Sequence, residues 1–354
     1  MSNAERGDAV LLPEGMPAPL PAATRYQILA LHGGGFRGLF TARVLERLET
    51  AGLSPTRSVD LYAGTSIGSI LAGALALGRS PRSLREAMLE HGPTIFPARR
   101  WHQRLTPAPL RGLVHAPYRA EPLAAAIRAI LGEEAERPLS EVSTPLVIPC
   151  VSHTRAGVRL LRSAGLGAAT ADPIAIGEAM LASAAAPTWF PPRRLGGQTL
   201  IDGGVVANAP EIVALCEAVR LGQPLERLHV LGIGTASVSE AGPPLTADED
   251  RGHGRLPWLL ARAIVNVALA AQEDLATAQC RTLLGSERYL LLDKAPSVRE
   301  AARLGLDRAD AAARDTLMSL ADACVDEALD GELGRRLRRF SDHVAELPPN
   351  ETRR

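Results

Sequence analysis

The sequence predicts an α/β fold built on a central, mostly parallel sheet, and three observations carry that prediction. Residues 26–31, 58–63 and 228–233 are short apolar runs that read as strands. The first two are each followed at once by a glycine-bearing turn and a helical pattern, and strand–helix–strand–helix in so short a compass implies parallel neighbours with right-handed crossovers. At 354 residues the chain is long enough to bury one large core.

Taken in order, residues 1–24 read as a flexible Pro/Ala arm broken by Pro13, Pro17, Pro19 and Pro21. The strand at 26–31 closes in glycines, and a helix follows from about Gly38, with Leu39, Val44, Leu45 and Leu48 at helical spacing and Gly52 as its terminator. The strand at 58–63 runs into a small-residue helix ending near Gly78. Further strands are expected at 145–151, 157–161 and 199–201. A helix at about 174–185 is stopped by Pro187, and another covers about 210–219. Residues 239–257 carry Gly, Pro, Asp and Glu without periodicity, which predicts a loop or lid. Helices then dominate from 259 to 340 except for a strand at 288–292. These elements divide into the arm (1–24), a main α/β domain (25–235), a mainly helical part packed on it (236–345) and a tail (346–354).

Composition excludes several classes. Lys+Arg and Asp+Glu are 39 each, so no net charge draws the chain to a nucleic-acid polymer. Almost every basic residue is Arg, a uniform bias that codon usage explains. Cys150, Cys216, Cys280 and Cys324 show no metal-ligand spacing and no disulfide framework, which fits a reducing cytoplasm and predicts no metal. No run approaches the roughly 20 apolar residues of a membrane span, so any contact with a bilayer is expected to be peripheral.

Chemistry concentrates in two glycine motifs. Gly33, Gly35 and Gly38 spell G-x-G-x-x-G, which alone suits either a dinucleotide or another anion at a helix N-terminus. A dinucleotide fold needs an acid at the end of the second strand. Asp60 lies inside that strand, which leads instead into Gly64-Thr-Ser-Ile-Gly68, a G-x-S-x-G nucleophile elbow around Ser66. Adjacent parallel strands end at one sheet edge, so the loop of Gly33, Gly34, Gly35, Phe36, Arg37 and Gly38 is placed to offer N–H groups to an oxyanion beside Ser66. Arg37 could orient that loop or pair with a surface acid.

Ser66 needs a base. His229, His253 and His343 lack supporting local patterns, whereas Asp202 ends a short strand before Gly203 and Gly204, whose bare backbones allow a carboxylate into a crowded site. A histidine-assisted esterase on soluble esters, and a nucleotide-binding module using the glycine loop, are the alternatives. Residues 99–119 bring Arg99, Arg100, Arg104, Arg111 and Arg119 together with Trp101 and Tyr118 and no acid. That composition suits contact with anionic headgroups, a phosphate-bearing activator or a solvated loop.

Gly33–Gly38, Gly64–Gly68, Ser183-Ala-Ala-Ala-Pro187 and Asp202-Gly-Gly204 with Asn208 and Pro210 together resemble the patatin-like phospholipase family over residues 26–235. The resemblance implies a three-layer patatin-like fold, Ser66 as nucleophile, Asp202 as general base, no cofactor, and hydrolysis of membrane glycerophospholipid acyl esters through an acyl-enzyme. His32 stands where many members carry Asp; the hole, built from backbone, is expected to stay intact. More narrowly, the strand opening, the segment 91–97 and the helical C-terminal part resemble bacterial patatin-like effectors of cyclic-oligonucleotide antiphage signalling (CBASS). That resemblance implies a cytoplasmic enzyme working at the inner membrane face, a cyclic dinucleotide activator, and room for an oligomer.

Overall fold

The computed structural model describes residues 25–97, 116–237 and 263–345. The expected arm (1–24), most of the basic stretch at 99–119, the loop at 239–257 with His253, and the tail at 346–354 lie outside the described residues.

Eight strands form one sheet: β1 (Tyr26–Leu31), β2 (Leu61–Gly64), β3 (Leu146–Ser152), β4 (Gly157–Arg162), β5 (Arg193–Leu195), β6 (Gln198–Asp202), β7 (Leu228–Ile233) and β8 (Tyr289–Leu292). Their order is β5-β6-β3-β2-β1-β7-β8, with β4 on β3. The run from β3 through β8 is parallel throughout, and β4, β5 and β6 add an antiparallel flank. Both faces are covered. Along β1, Leu29 and Leu31 enter one apolar cluster with α1 (Gly38–Thr50) and α2 (Ile67–Ala76). Tyr26, Ile28 and Ala30 enter another with residues of α7 (Glu211–Arg220) and α8 (Ala263–Arg288). That period of two through a fully buried strand is the signature of a sheet sandwiched between helical layers.

The remaining helices are α3 (Pro81–Ile95), α4 (Ala120–Leu131), α5 (Ile176–Ser183), α6 (Gly204–Ala207), α9 (Val298–Ala301), α10 (Ala311–Leu329) and α11 (Gly331–Ser341). Sequence spacing did not single out α3 or α4. Pro93 sits inside α3, whose start is set by Ser80 accepting from the Ser83 N–H at 3.2 Å. The run α8 is interrupted at Gly285 (φ 67).

One strand start differs from expectation by more than a residue. The second strand begins at Leu61, not at 58, because the residues before it are held by side-chain bonds. Ser58 Oγ donates to the Ser341 carbonyl at 2.7 Å, and Asp60 Oδ2 accepts from the Gln27 N–H at 2.6 Å and lies 2.8 Å from His343 Nε2. Asp60 therefore precedes its strand, at the sheet edge opposite the glycine loop.

Candidate active site

The topology of β3 brings the two key side chains together. On one edge of β3, β2 pairs with Leu146 and Val147, while β6 pairs antiparallel with Cys150, Val151 and Ser152; β4 occupies the other edge. The C-terminal ends of β2 and β6 thus point at each other across a short gap. Ser66 follows one and Asp202 ends the other, and Ser66 Oγ donates to Asp202 Oδ2 at 2.8 Å.

Ser66 has φ 55 and ψ −125, a backbone conformation that costs a non-glycine residue about 1–3 kcal/mol. Its neighbours hold it there. A Cβ on Gly64 would lie 2.1 Å from the Gly68 carbonyl oxygen, and one on Gly68 would lie 2.1 Å from that of Leu31, so the tight elbow admits only glycine at both places. The Ser66 N–H donates to Ser183 Oγ at 3.0 Å, and Ser183 Oγ in turn donates to the Pro149 carbonyl at 2.7 Å. The Asp202 N–H donates to Ala185 O at 3.0 Å. The Ser183–Pro187 segment therefore anchors both halves of the pair.

Asp202 is 4% exposed. Burial lifts its carboxyl from 3.8 to about 7, against the opposing bonds from the Gly204 N–H (2.6 Å to Oδ1) and Ser66. A carboxylate with such a value, in contact with a serine hydroxyl, can take and return its proton at neutral pH.

The glycine loop lies beside this pair. The Gly33 N–H donates to Asn208 O, that of Phe36 to Leu306 O, that of Arg37 to Gly34 O, and that of Gly38 to carbonyls within the loop. The donors left without a bond among the described residues are Gly34 and Gly35, and both line the same cleft as Ser66 and Asp202. The six-residue loop thus narrows to two N–H groups. Gly35 requires its φ of 57, and Thr235 packs where a Gly34 side chain would stand.

From this polar end the cleft runs between α3, α4 and the Trp189–Phe190 turn, lined by Ile67, Met88, Ile95, Phe96, Ile127 and Phe190 among others, and it measures about 1130 Å³ counted to its open mouth. Arg37 lines it too, and its Nε is buried without a hydrogen-bond partner among the described residues. The site therefore places a serine hydroxyl, a carboxylate and two amide N–H groups at one end of an apolar slot. Such an arrangement can transfer an acyl group carried on a long hydrocarbon chain.

The model of the patatin-like phospholipase family matches residues 29–215, more than half of the chain. The protein belongs to the patatin-like phospholipase family. This patatin-like enzyme is 30% identical over 328 residues to a cGAMP-activated phospholipase of Pseudomonas aeruginosa (strain BWHPSA011 / Pa011), covering 91% of this chain and 94% of that one. It is 29% identical over 306 residues to a cGAMP-activated phospholipase of Escherichia coli (strain TW11681), covering 80% and 84%. Human GIVD cytosolic phospholipase A2 aligns in structure with TM-score 0.45 and 12% identity over 90% of this chain and 61% of that one.

Of the histidine candidates, the two among the described residues, His229 and His343, do not meet Ser66. His229 lies near the start of β7 and His343 pairs with Asp60, both at the far end of the strands. His32 directly follows β1 and makes a buried bond to Glu211, 2.6 Å from Nε2 to Oε1. Burial alone would lower its value, but the Glu211 carboxylate outweighs burial and lifts the imidazole from 6.5 to about 9.

Sequence reasoning missed a second set of residues. Gln272 of α8 donates from Nε2 to Gly204 O at 2.6 Å and accepts at Oε1 from the Asn208 N–H at 2.8 Å. Asn208 Nδ2 donates to Gly33 O at 3.3 Å and to Glu273. Asn208 is thus the joint between the Asp202 turn, the glycine loop and α8. No local motif marks Gln272 or Glu273; only the fold brings α8 to the site.

Proposed function

We propose that the protein cleaves fatty acyl esters of membrane glycerophospholipids through a Ser66/Asp202 dyad. The observation that supports this reading best is the 2.8 Å Ser66–Asp202 bond at the polar end of an apolar cleft that also holds the unbonded Gly34 and Gly35 N–H groups. Ser66 Oγ attacks the ester carbonyl carbon while Asp202 takes its proton, and the carbonyl oxygen, now negative, sits against the two glycine N–H groups. The C–O bond to the glycerol breaks, and Asp202 returns the proton to the leaving alkoxide. Water then attacks the acyl-enzyme, again giving its proton to Asp202, and Ser66 leaves reprotonated with the fatty acid released. Each oxyanion donor is worth about 3 kcal/mol in reactions of this type.

The control of this activity is read from the relatives. Two proteins about 30% identical over most of this chain are named as cGAMP-activated phospholipases. We infer that this chain too is a cytoplasmic enzyme switched on by a cyclic dinucleotide to degrade the membrane during antiphage defence.

Fatty-acid release from phospholipid vesicles, by the wild type and by Ser66→Ala, with and without cGAMP, tests both halves. Serine-dependent release that rises with the nucleotide supports the whole reading. Equal release with and without a cyclic dinucleotide panel removes the switch and leaves a constitutive lipase. Hydrolysis confined to soluble esters removes the membrane substrate.

A further inference from the structure

At the opposite end of the strands from Ser66 lies a second, polar pocket. It opens beside the first residues of β1, β7 and β8 and the C-terminal half of α11, and Arg25, Arg288, Arg336 and Arg339 line it with His229 and the carboxylate of Glu287. Four guanidinium groups thus face one carboxylate in the lining. Glu332 pairs with Arg336 and Arg339 from outside it, at 3.7 and 3.5 Å, and Glu287 lies 3.9 and 3.4 Å from the same two arginines. Both acids are about half exposed or more (65% and 47%), so these contacts are weak and exchangeable with another anion.

Three of the arginines are held in place by backbone. Arg25 donates to Arg339 O at 3.1 Å, Arg288 to Leu225 O, and Arg336 to Ser286 O. These backbone bonds hold the guanidinium groups at fixed places around the pocket, Arg288 bonding Leu283 O as well, and fixed guanidinium groups suit the recognition of phosphate oxygens. The field they create is felt by His229. Burial first, then Arg25, Arg288, His343 and Arg339, bring its imidazole down to about 4, leaving it neutral and able to accept or donate a bond inside a cationic pocket.

The position of the pocket excludes the substrate membrane as its partner. Ser66 follows the C-terminal end of β2, whereas Arg25 precedes β1 and His229 is the second residue of β7. A six-residue strand separates the two edges by roughly 20 Å. A bilayer seated on the mouth of the cleft would not reach this face. A soluble anion would.

One element joins the two ends. The run α8 carries Gln272 and Glu273 at the Asp202 turn and Glu287 and Arg288 at the pocket, with a break at Gly285 between them. At 1.5 Å per residue its body spans roughly 20 Å. A displacement of Glu287 and Arg288 therefore has a mechanical route to the backbone that bonds Asp202.

We propose that this arginine pocket binds a soluble ligand through its phosphodiester groups and is the place where the cyclic dinucleotide of the proposed function acts. The inference rests on that reading for the identity of the ligand, but not for the existence of an anion site.

The test measures binding of cGAMP and of pyrophosphate to the full chain by calorimetry, and of phosphatidylglycerol vesicles by flotation. The proteins are the wild type, Arg339→Ala, Arg25→Ala and Arg339→Lys. Hydrolysis of a soluble short-chain ester serves as the control for folding, and fatty-acid release with cGAMP as the functional readout. The expected result is a loss of about tenfold or more in cGAMP affinity for either alanine variant, a smaller loss for Arg339→Lys, unchanged basal ester hydrolysis, and a matching rightward shift in the cGAMP needed for activation. If the wild type binds cGAMP and the variants bind it equally, the pocket is not the site, while the activator reading stands. If pyrophosphate binding is lost in the variants but no cyclic dinucleotide binds or activates, the anion site stands and the activator reading falls. Wild-type binding of neither soluble probe, or loss confined to vesicles, overturns the pocket as a site for a soluble phosphodiester.

Discussion

His32 and Glu211 meet in a buried bond of 2.6 Å directly beneath the glycine loop, with the Tyr289 hydroxyl donating to the same carboxylate oxygen at 3.2 Å. His32 is 2% exposed and Glu211 wholly buried. Where many family members place an acid before the glycines, this chain places a base and supplies the acid from α7. The loop therefore rests on an ion pair that neither residue can abandon alone.

From this follows a stability prediction with a definite sign. The imidazole is raised from 6.5 to about 9, so the pair contributes fully below pH 6.5 and its contribution is lost as pH climbs through about 9. Glu211→Gln should destabilise the protein by about 3 kcal/mol at pH 7, and the gap to wild type should narrow at pH 10. His32→Asp, which restores the common residue, should be worse still, because two carboxyl groups would then face each other. Denaturant unfolding at the two pH values checks both; a gap that is the same at pH 7 and pH 10 would show that charge is not what holds the pair.

Asp202 acts on stability in the same direction as His32, over a lower pH window. Its value is lifted from 3.8 to about 7, so the folded state favours the protonated acid and the protein loses stability as pH rises through that window. In the proposed mechanism Asp202 accepts the Ser66 proton, which needs the ionised form. The expected kcat/KM for a soluble ester rises with pH on a single limb near 7 and then levels. Asp202→Asn should cost about 10³-fold or more in activity, yet be at least as stable as wild type at pH 8. An Asp202→Asn protein that melts well below wild type at pH 8 would contradict the assignment of burial as the cause of the shift.

The bond pattern at Gln272 predicts a positioning role. Gln272→Ala frees Gly204 O and the Asn208 N–H together, and so loosens the turn whose Gly204 N–H holds the Asp202 carboxyl down. The expected outcome is kcat lower by about tenfold, KM for a small ester little changed, and the pH limb moved upward from about 7. Gln272→Glu keeps the acceptor and loses the donor, so its effect should be intermediate. A fall in melting temperature with the pH limb unmoved would assign Gln272 to structure alone.

The contrast between Ser66 and Gln272 also explains what could be read before the fold was known. Ser66, Asp202 and the glycine loop are each marked by a local pattern, since strained turns and close backbone contacts leave little choice but glycine: a Cβ on Gly64 or Gly68 would lie 2.1 Å from a backbone oxygen. Strands β1 and β7, buried on both faces, announce themselves as apolar runs with the bounds later observed. The helix Pro81–Ile95 does not, because Pro93 and Gly92 break its pattern; Gly92 is there because Phe36 packs where its side chain would be. His32–Glu211 spans 179 positions and Gln272–Gly204 spans 68. Pairs of that separation leave no periodic trace in a single chain.

The apolar cleft makes the last prediction. Ile127 of α4 and Met88 of α3 lie along it beyond Ser66, both nearly inaccessible to solvent (2% and 8%). A fatty acyl chain occupying the slot must pass them, whereas a butyryl group attached to Ser66 is too short to need that depth. Ile127→Trp should therefore lower the rate on long-chain esters by about tenfold or more while sparing short ones, at a stability cost of about 1–3 kcal/mol for overpacking. Ile127→Ala should do the reverse for bulky acyl groups. The measurement is the ratio of palmitoyl to butyryl ester hydrolysis for each protein, which cancels any general loss of folded enzyme. A ratio unchanged by Ile127→Trp would mean that the acyl chain leaves Ser66 by another route, and would move the lipid-binding surface away from α3 and α4.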